Sequence, residues 1–512
     1  MKKLTAILLS LVLILSLCSA AMLTVGAEEA TASVWDGTAN IKWYFDGKDI
    51  GEYELKSAAD LAGLAYLVNA GTDGTCYNGV YYDANYKVLG YRLSGAQGDY
   101  ANSALVYTPT SGDGSQVVAG DSLVWQTVKL CVDVVLNEGN AADWATTAPA
   151  NVWQPIGGGL HIDADCGGFN GTFDGQGHTI SGLYFTGVEG VFGCGLFGWA
   201  GMSANTEFKN LTITNFYVEG TYGVGALVGR SNKPIAVSNV LITDGSVKAS
   251  NQQAAPLIAS VFNGAATLEN CGVNNVQVWG GNYLGAIVSL VNGMNFSATD
   301  CYATNVTVTG NNQCGAIIGR IAGGSIALKN VYLVAKLEAT SETSEAGIVY
   351  GGIGNNSAPA LGTIENVFYV KDITAVQENG IADIEGIVEV TADSLKGETA
   401  KTTLVGFDFD TIWKTVENGT PVIELREAPN QGGDEGGEQG GEQGGEQGGT
   451  TPGGDDGNDE TEAPETDAPT TEAPTTAVSN ETESGCGSVI GFASVAVIAL
   501  AAGACVIRKK EN

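Results

Sequence analysis

The chain has 512 residues, of which 23 are Lys or Arg and 57 are Asp or Glu, giving a formal charge of −34 at pH 7. That balance excludes nucleic acid as a partner, because phosphate binding needs clustered cations. Seventy-three glycines with only 16 % charged residues also speak against a helical bundle and for turn-rich β structure.

Lys2 and Lys3 precede an apolar run at 6–17, and Val25-Gly26-Ala27 offers small residues for cleavage, so residues 1–27 read as a secretory signal peptide cut after Ala27. Residues 28–127 are expected to form an N-terminal capping region. In it, Ser57-Ala58-Ala59-Asp60 approximates a capping box, and Leu61, Leu64, Leu67 and Val68 then share one face. A short helix there would cover the open end of a solenoid. The remainder is rich in tyrosine, with Tyr77, Tyr81, Tyr82, Tyr86 and Tyr91, and it ends on Trp125. An aromatic ring with a polar edge suits recognition of sugars or proteins, which makes these six the candidate ligand-binding residues. The competing expectation is that alternating tyrosines pack a hairpin onto its neighbour.

Residues 128–375 carry a repeat. Gly195-Leu196-Phe197-Gly198 is echoed at Gly225-Ala226-Leu227-Val228, Ala255-Pro256-Leu257-Ile258, Gly285-Ala286-Ile287-Val288, Gly315-Ala316-Ile317-Ile318 and Gly347-Ile348-Val349-Tyr350. A second column keeps the same beat: Asn210, Asn239, Asn270, Asp300, Asn330 and Asn366, each followed by Leu, Val or Cys. Two columns with a period of about 30 residues identify a repeat architecture. Within one repeat apolar residues alternate with period two, so each repeat offers about three short strands. Three strands per repeat describe one coil of a parallel β-helix, with equivalent residues stacked about 4.8 Å apart. The Asn/Asp column then has a structural role, each side chain bonding at a tight corner and along the stack. The Gly-flanked strand is apolar in two adjacent columns, beginning at Phe197 and at Gly198. One is expected to face outward, covered by the segment from Trp35 to Phe45 or by a partner.

Residues 376–427, with Phe407, Phe409, Trp413, Val422 and Ile423, are expected to cap the other end. Residues 428–484 contain Gly-Gly-Glu-Gln and Thr-Glu-Ala-Pro runs without apolar content and read as a disordered acidic stalk. Residues 485–507 include 19 uncharged positions from Val489 to Ile507, followed by Arg508-Lys509-Lys510. They read as a transmembrane anchor, with 508–512 as a cytoplasmic tail. Of ten cysteines, three lie in the signal and anchor. The seven others are an odd number without a Cys-x-x-Cys pair, so buried thiols are expected rather than a zinc site or a disulfide scaffold.

Several of these motifs, in this order, resemble the GLUG-motif surface proteins of bacteria. They are the string Asp60 to Asn69; Leu136 with Trp153-Gln154-Pro155-Ile156-Gly157; the stretch from Phe169 to Leu183; the Gly-flanked strands; and the segment from Phe409 to Val422. The resemblance covers about 370 residues and implies a right-handed parallel β-helix on a secreted or surface protein, often linked with adhesion, with no catalytic residues to transfer. Two departures stand out: the segment from Cys76 to Gln126 is long, and no Leu-Pro-x-Thr-Gly sorting signal precedes the anchor.

Several β-helix families cleave polysaccharides, and a hydrolase needs two carboxylates about 5 to 9.5 Å apart across one cleft. The best cluster is Asp163, Asp165 and Asp174 with His161 and His178, yet Asp174-Gly175 and Gly177-His178 read as a turn. The residues before the Asn/Asp column, Lys209, Ser238, Glu269, Thr299 and Lys329, form no acidic row. No phosphate-cradling Gly-rich loop is present either. The expectation is a non-catalytic protein without metal or cofactor. It would be exported, membrane-anchored with its ectodomain outside a Gram-positive cell, and bind a surface glycan or protein, with oligomeric state open. A polysaccharide lyase or hydrolase and a passive structural coat protein are the alternatives.

Overall fold

In the computed structural model the described residues are 33–423, apart from 49, 71–76, 94–104, 159–167, 188–191, 342, 355–356, 376 and 380–383. They belong to one compact unit, residues 1–433. The expected signal peptide with Ala27, the stalk, the anchor and the tail lie outside the described residues.

Five long strands, Thr206–Val224, Ile235–Ala254, Ala266–Gly285, Phe296–Gly315 and Ser325–Ala339, stack in parallel. Each is followed by a short strand of a second parallel sheet, such as Val228–Ser231 after the first and Ile318–Ala322 after the fourth. The product is an all-β, mostly parallel β-solenoid of about six turns with few helices.

The long strands are not straight. They bend at residues held in the left-handed region: Asn210, Asn239, Asn270, Asp300, Asn330 and Asn366 have φ between 50 and 55°. Asn and Asp tolerate that region better than other residues that carry a Cβ. A second bend lies at Asn215, Asp244, Asn275 and Asn305, and a third at Gly223, Gln253, Tyr283 and Gln313. In the first full coil these bends separate four walls: 206–209, 211–214, 216–220 and 228–231.

At the first bend the side chains form an axial ladder. Asn210 Nδ2 donates to Asp174 Oδ1 (2.9 Å), Asn239 to Asn210 (3.1 Å), Asn330 to Asp300 (3.0 Å) and Asn366 to Asn330 (2.9 Å). Asp300 has no side-chain N–H to pass on, and the buried Oδ1 of Asn270 below it has no partner. The ladder therefore has two runs, each beginning at an acid.

The columns beside the ladder, Leu211, Val240, Cys271, Cys301, Val331 and Val367, are fully enclosed, in a single core that also holds Leu61, Leu64, Leu67 and Val68 of helix Ala58–Asn69. Ser57 Oγ accepts from Asp60 N at 3.1 Å, and the buried Asn69 ties the helix end to Pro155 O and Gly157 N. Cys271 and Cys301 pair in register, but each thiol donates to its own strand's carbonyl, Glu269 or Thr299, at 3.3 Å.

Two expectations need correction. The Gly-flanked strand exposes no aliphatic column: Leu227, Leu257, Ile287 and Ile317 are as buried as Val228, Ile258, Val288 and Ile318. The first four sit on a bend before the strand, where alternation is suspended, and the register pairs Phe197 with Val228 rather than Leu227. The next column must be small: a Cβ at Gly229 or Gly319 would lie 2.4 or 2.6 Å from the backbone nitrogen of Cys194 or Leu284. The segment from Trp35 to Phe45 packs elsewhere, with Trp43 and Tyr44 against Tyr53.

The second correction concerns residues 376–427. Part of this segment extends the stack, since Ile387–Glu389 pairs in parallel with Ala360–Tyr369. The residues that follow fold back along the second wall. Leu395, Leu404, Phe407, Trp413 and Ile423 cover the outward column Tyr302, Tyr332 and Phe368. Trp413 Nε1 donates to Asp300 Oδ1 at 3.1 Å, Thr420 meets Thr304 at 3.0 Å, and Tyr332 OH donates to Pro421 O. It is a lateral strap that buries the outward aromatics.

Asn330→Ala removes two ladder bonds and places a poorer residue at positive φ, an expected loss of about 2–4 kcal/mol by denaturant titration. Asn330→Gly, which fits the backbone, should lose less. Burial pushes the thiols of Cys194 and Cys314 up to about 12 and that of Cys301 well above its ordinary value, which withholds the thiolate at neutral pH. Among the five described cysteines, alkylation of the native chain should therefore reach the partly exposed Cys131 first, and Cys194, Cys271, Cys301 and Cys314 only on unfolding.

Candidate functional site

The tyrosine-rich insertion folds as a three-stranded antiparallel sheet, in which Tyr77–Tyr82 pairs with Val88–Leu93 and with Gln116–Val118. Tyr77 and Tyr91 are almost fully buried and stacked with centroids 3.9 Å apart, against Tyr66 of the helix. Gln154 Nε2 donates to the Tyr91 hydroxyl. Tyr82 and Tyr86 stack at 5.9 Å and both touch Phe45 at 5.3 Å. Tyr81 is half-buried against Tyr107. Tyr77, Tyr82 and Tyr91 thus cannot meet a ligand, and Tyr86 lends its ring to Phe45. This is the packing alternative, and it corrects the ligand-binding expectation for Tyr77, Tyr82 and Tyr91.

Trp125 is different. It is 73 % exposed, the most exposed large apolar side chain among the described residues, and has φ +61°. Leu123, two residues earlier, has φ +53° and is fully buried. The hairpin-like turn is held by Gln126 N to Leu123 O (3.0 Å), Trp125 N to Asn170 O (3.3 Å) and Thr172 N to Gln126 O (2.8 Å). Gly171 must lack a side chain, because a Cβ there would lie 2.4 Å from Gln126 O. Two bulky residues at positive φ cost about 1–2 kcal/mol each, and the result is an indole projected into solvent.

Trp125 heads a groove of about 320 Å³ along the first wall, floored by Thr172, Glu207, Ala236 and Thr267. Register carries the same column on through Ser297 and Ala327. Glu207 is the one charge in this row; it accepts from Thr172 Oγ1 (3.3 Å) and faces Lys209 Nζ (3.5 Å). The arrangement offers one stacking platform, small hydroxyls and a carboxylate.

Of the candidate carboxylate cluster, His161, Asp163 and Asp165 lie outside the described residues. Asp174 is the foot of the ladder and also accepts from Gln176 N (2.9 Å). His178 Nδ1 meets Asp133 Oδ1 at 3.1 Å, on the edge of an open cavity of about 890 Å³ that Cys131 also lines. Burial and then Glu54 push the Cys131 thiol up, with Lys56 and Lys129 opposing, and its hydrogen bond goes to Lys129 O (3.9 Å). Those features supply no activated nucleophile. Among the described residues no group of three His, Cys, Asp or Glu is placed to hold a metal.

Asp133 and Cys131 had no signal in the sequence, because only the fold brings them beside His178. The second bend column, Asn215, Asp244, Asn275 and Asn305, was readable by the same 30-residue beat; Asn275 Nδ2 donates to Asp244 Oδ1 at 2.7 Å.

No protein-family model matches the chain, and no curated protein does. Among solved structures it is similar to a crystal structure described as a "putative immunoglobulin A1 protease" from Bacteroides ovatus, with 18 % identity and a TM-score of 0.42 over 59 % of this chain and 87 % of that one. A likeness of that size assigns no activity and no substrate. The class that the fold defines is the parallel β-solenoid. Among the described residues no helix is long and apolar enough to cross a membrane.

Tyr77→Ala should cost about 3–5 kcal/mol, as for other buried aromatics. Trp125→Gly removes an exposed ring from a left-handed position and should leave the thermal midpoint unchanged or raise stability by up to about 1 kcal/mol. Calorimetry of both variants checks the contrast.

Proposed function

We propose that this chain is a non-catalytic surface protein that binds a glycan through the Trp125 groove. The observation that carries the reading is Trp125 itself: a largely exposed indole, held at positive φ beside Thr172, Glu207 and Thr267, is a stability cost with little packing return. The exported, membrane-anchored topology read from residues 1–27 and 485–512 supports display outside the cell, as does the GLUG-type resemblance. The raised Cys131 thiol and the engaged Asp174 weigh against the hydrolytic alternative.

The test is binding of residues 28–427 to an array of plant, mucin and bacterial glycans and host matrix proteins. Saturable binding that falls about tenfold or more in Trp125→Ala, with an unchanged thermal midpoint, is the expected result. Absence of binding by the folded protein would favour a structural coat role, and release of reducing ends would favour an enzyme.

A further inference from the structure

We infer a second binding platform, for an extended neutral polysaccharide, on the third wall of the solenoid around Trp279. It is separate from the Trp125 groove, which lies on the first wall, and does not depend on it.

In register, the outward columns of the third wall are Tyr217, Ser246, Gln277, Thr307, Lys336 and Glu219, Lys248, Trp279, Thr309, Glu338. Trp279 stands in the middle, 38 % exposed. Its neighbours in the column are Lys248 on one coil and Thr309 on the next. One coil beyond Lys248, the wall opens into a cleft of about 660 Å³ lined by Glu219, Thr221, Ser250 and Asn251.

The charges on this wall cancel in pairs. Lys248 Nζ lies 2.8 Å from Glu219 Oε1, and Lys336 Nζ 2.5 Å from Glu338 Oε1. Glu219 further accepts from Tyr217 OH, and Glu338 from Thr309 Oγ1 at 3.0 Å. Lys248 and Tyr217 outweigh burial and hold the Glu219 carboxyl below its ordinary range. Between the two ion pairs the surface is Trp279 with Gln277 and Thr307, all uncharged; Ser246 and Tyr217, farther along the same column, are buried, Tyr217 against Ala141 and Trp144. Residues 28–427 hold 18 Lys and Arg against 41 Asp and Glu. An anionic chain is repelled by that background, and a cationic one finds the local carboxylates already engaged. A neutral polyhydroxylated chain is the partner whose chemistry fits: the indole face takes the C–H face of a sugar ring, and the amide and hydroxyls serve its hydroxyls. Successive coils of the wall stand about 4.8 Å apart, which suits a polymer laid across several of them rather than an enclosed small molecule.

The test is affinity electrophoresis of the full-length, detergent-solubilised chain in gels containing hydroxyethyl cellulose, xyloglucan or galactomannan, with polygalacturonate and heparin as charged controls. Expected is retardation by at least one neutral polymer that persists at high salt. It should weaken about tenfold or more in Trp279→Ala, weaken less in Trp279→Phe, and survive in Trp125→Ala, with thermal midpoints unchanged. Three results would overturn the inference: no neutral polymer retards the folded chain; Trp279→Ala binds as the parent does; or retardation is confined to charged polymers and abolished by salt. Loss in Trp125→Ala alone would leave the first groove standing and refute this one.

Discussion

The structure depends on the backbone's acceptance of a left-handed residue at the same place in every coil. A parallel solenoid must turn its chain sharply several times per repeat, and most of these turns put a non-glycine residue where a Cβ is crowded, Gly223 being an exception. Asparagine meets the demand twice, since it tolerates the conformation and its amide both donates and accepts along the axis. Once the bends are fixed, the walls between them have set lengths, and the apolar residues have one way to face inward. Register, core and outer surface all follow from that local requirement.

The fourth wall shows the same constraint from the opposite side. There the chain doubles back so closely that Gly229 and Gly319 lie against backbone atoms of Cys194 and Leu284. The glycines that punctuate the repeat mark this approach more than they mark flexibility. The outer surfaces of the other walls are then distinct: the first carries the Trp125 groove, the second is closed by the C-terminal strap at Tyr302, Tyr332 and Phe368, and the third is covered at Tyr217 by Ala141 and Trp144 but exposes Trp279.

Much of the solenoid was legible because repetition makes columns visible without any structure. The 30-residue beat located the coils, and the Asn/Asp column marked one corner of each. The strings around Asn69, Trp153 and Asn170 mark places where side chains tie distant backbone: Asn69 to residues 155 and 157, Asn170 to 203 and 204. What remained illegible has a common cause. Whether Leu227 or Val228 faces outward depends on a bend that suspends alternation, and the tyrosines of the insertion could serve a core or a ligand with the same alternation. The position of the strap was hidden because Tyr302, Tyr332 and Phe368 occupy an outward column, which an alternating pattern alone assigns to solvent. Of the six candidate binding residues, only Trp125 stands clear in solvent; Tyr86 shares its positive φ but packs against Phe45, and that difference in packing is encoded by no residue pattern.

The strap alters how the solenoid comes apart. In a plain stack each coil touches only its neighbours, so end coils can fray one at a time and the array behaves as a chain of nearly independent links. Here one segment touches Asp300, Thr304, Tyr332 and Phe368 together, spanning three successive coils. Those coils are yoked into a single cooperative block that also reaches Leu241, so the strap crosses the interrupted amide ladder between Asn270 and Asp300. Unwinding of these coils from the C-terminal end must therefore release the strap first.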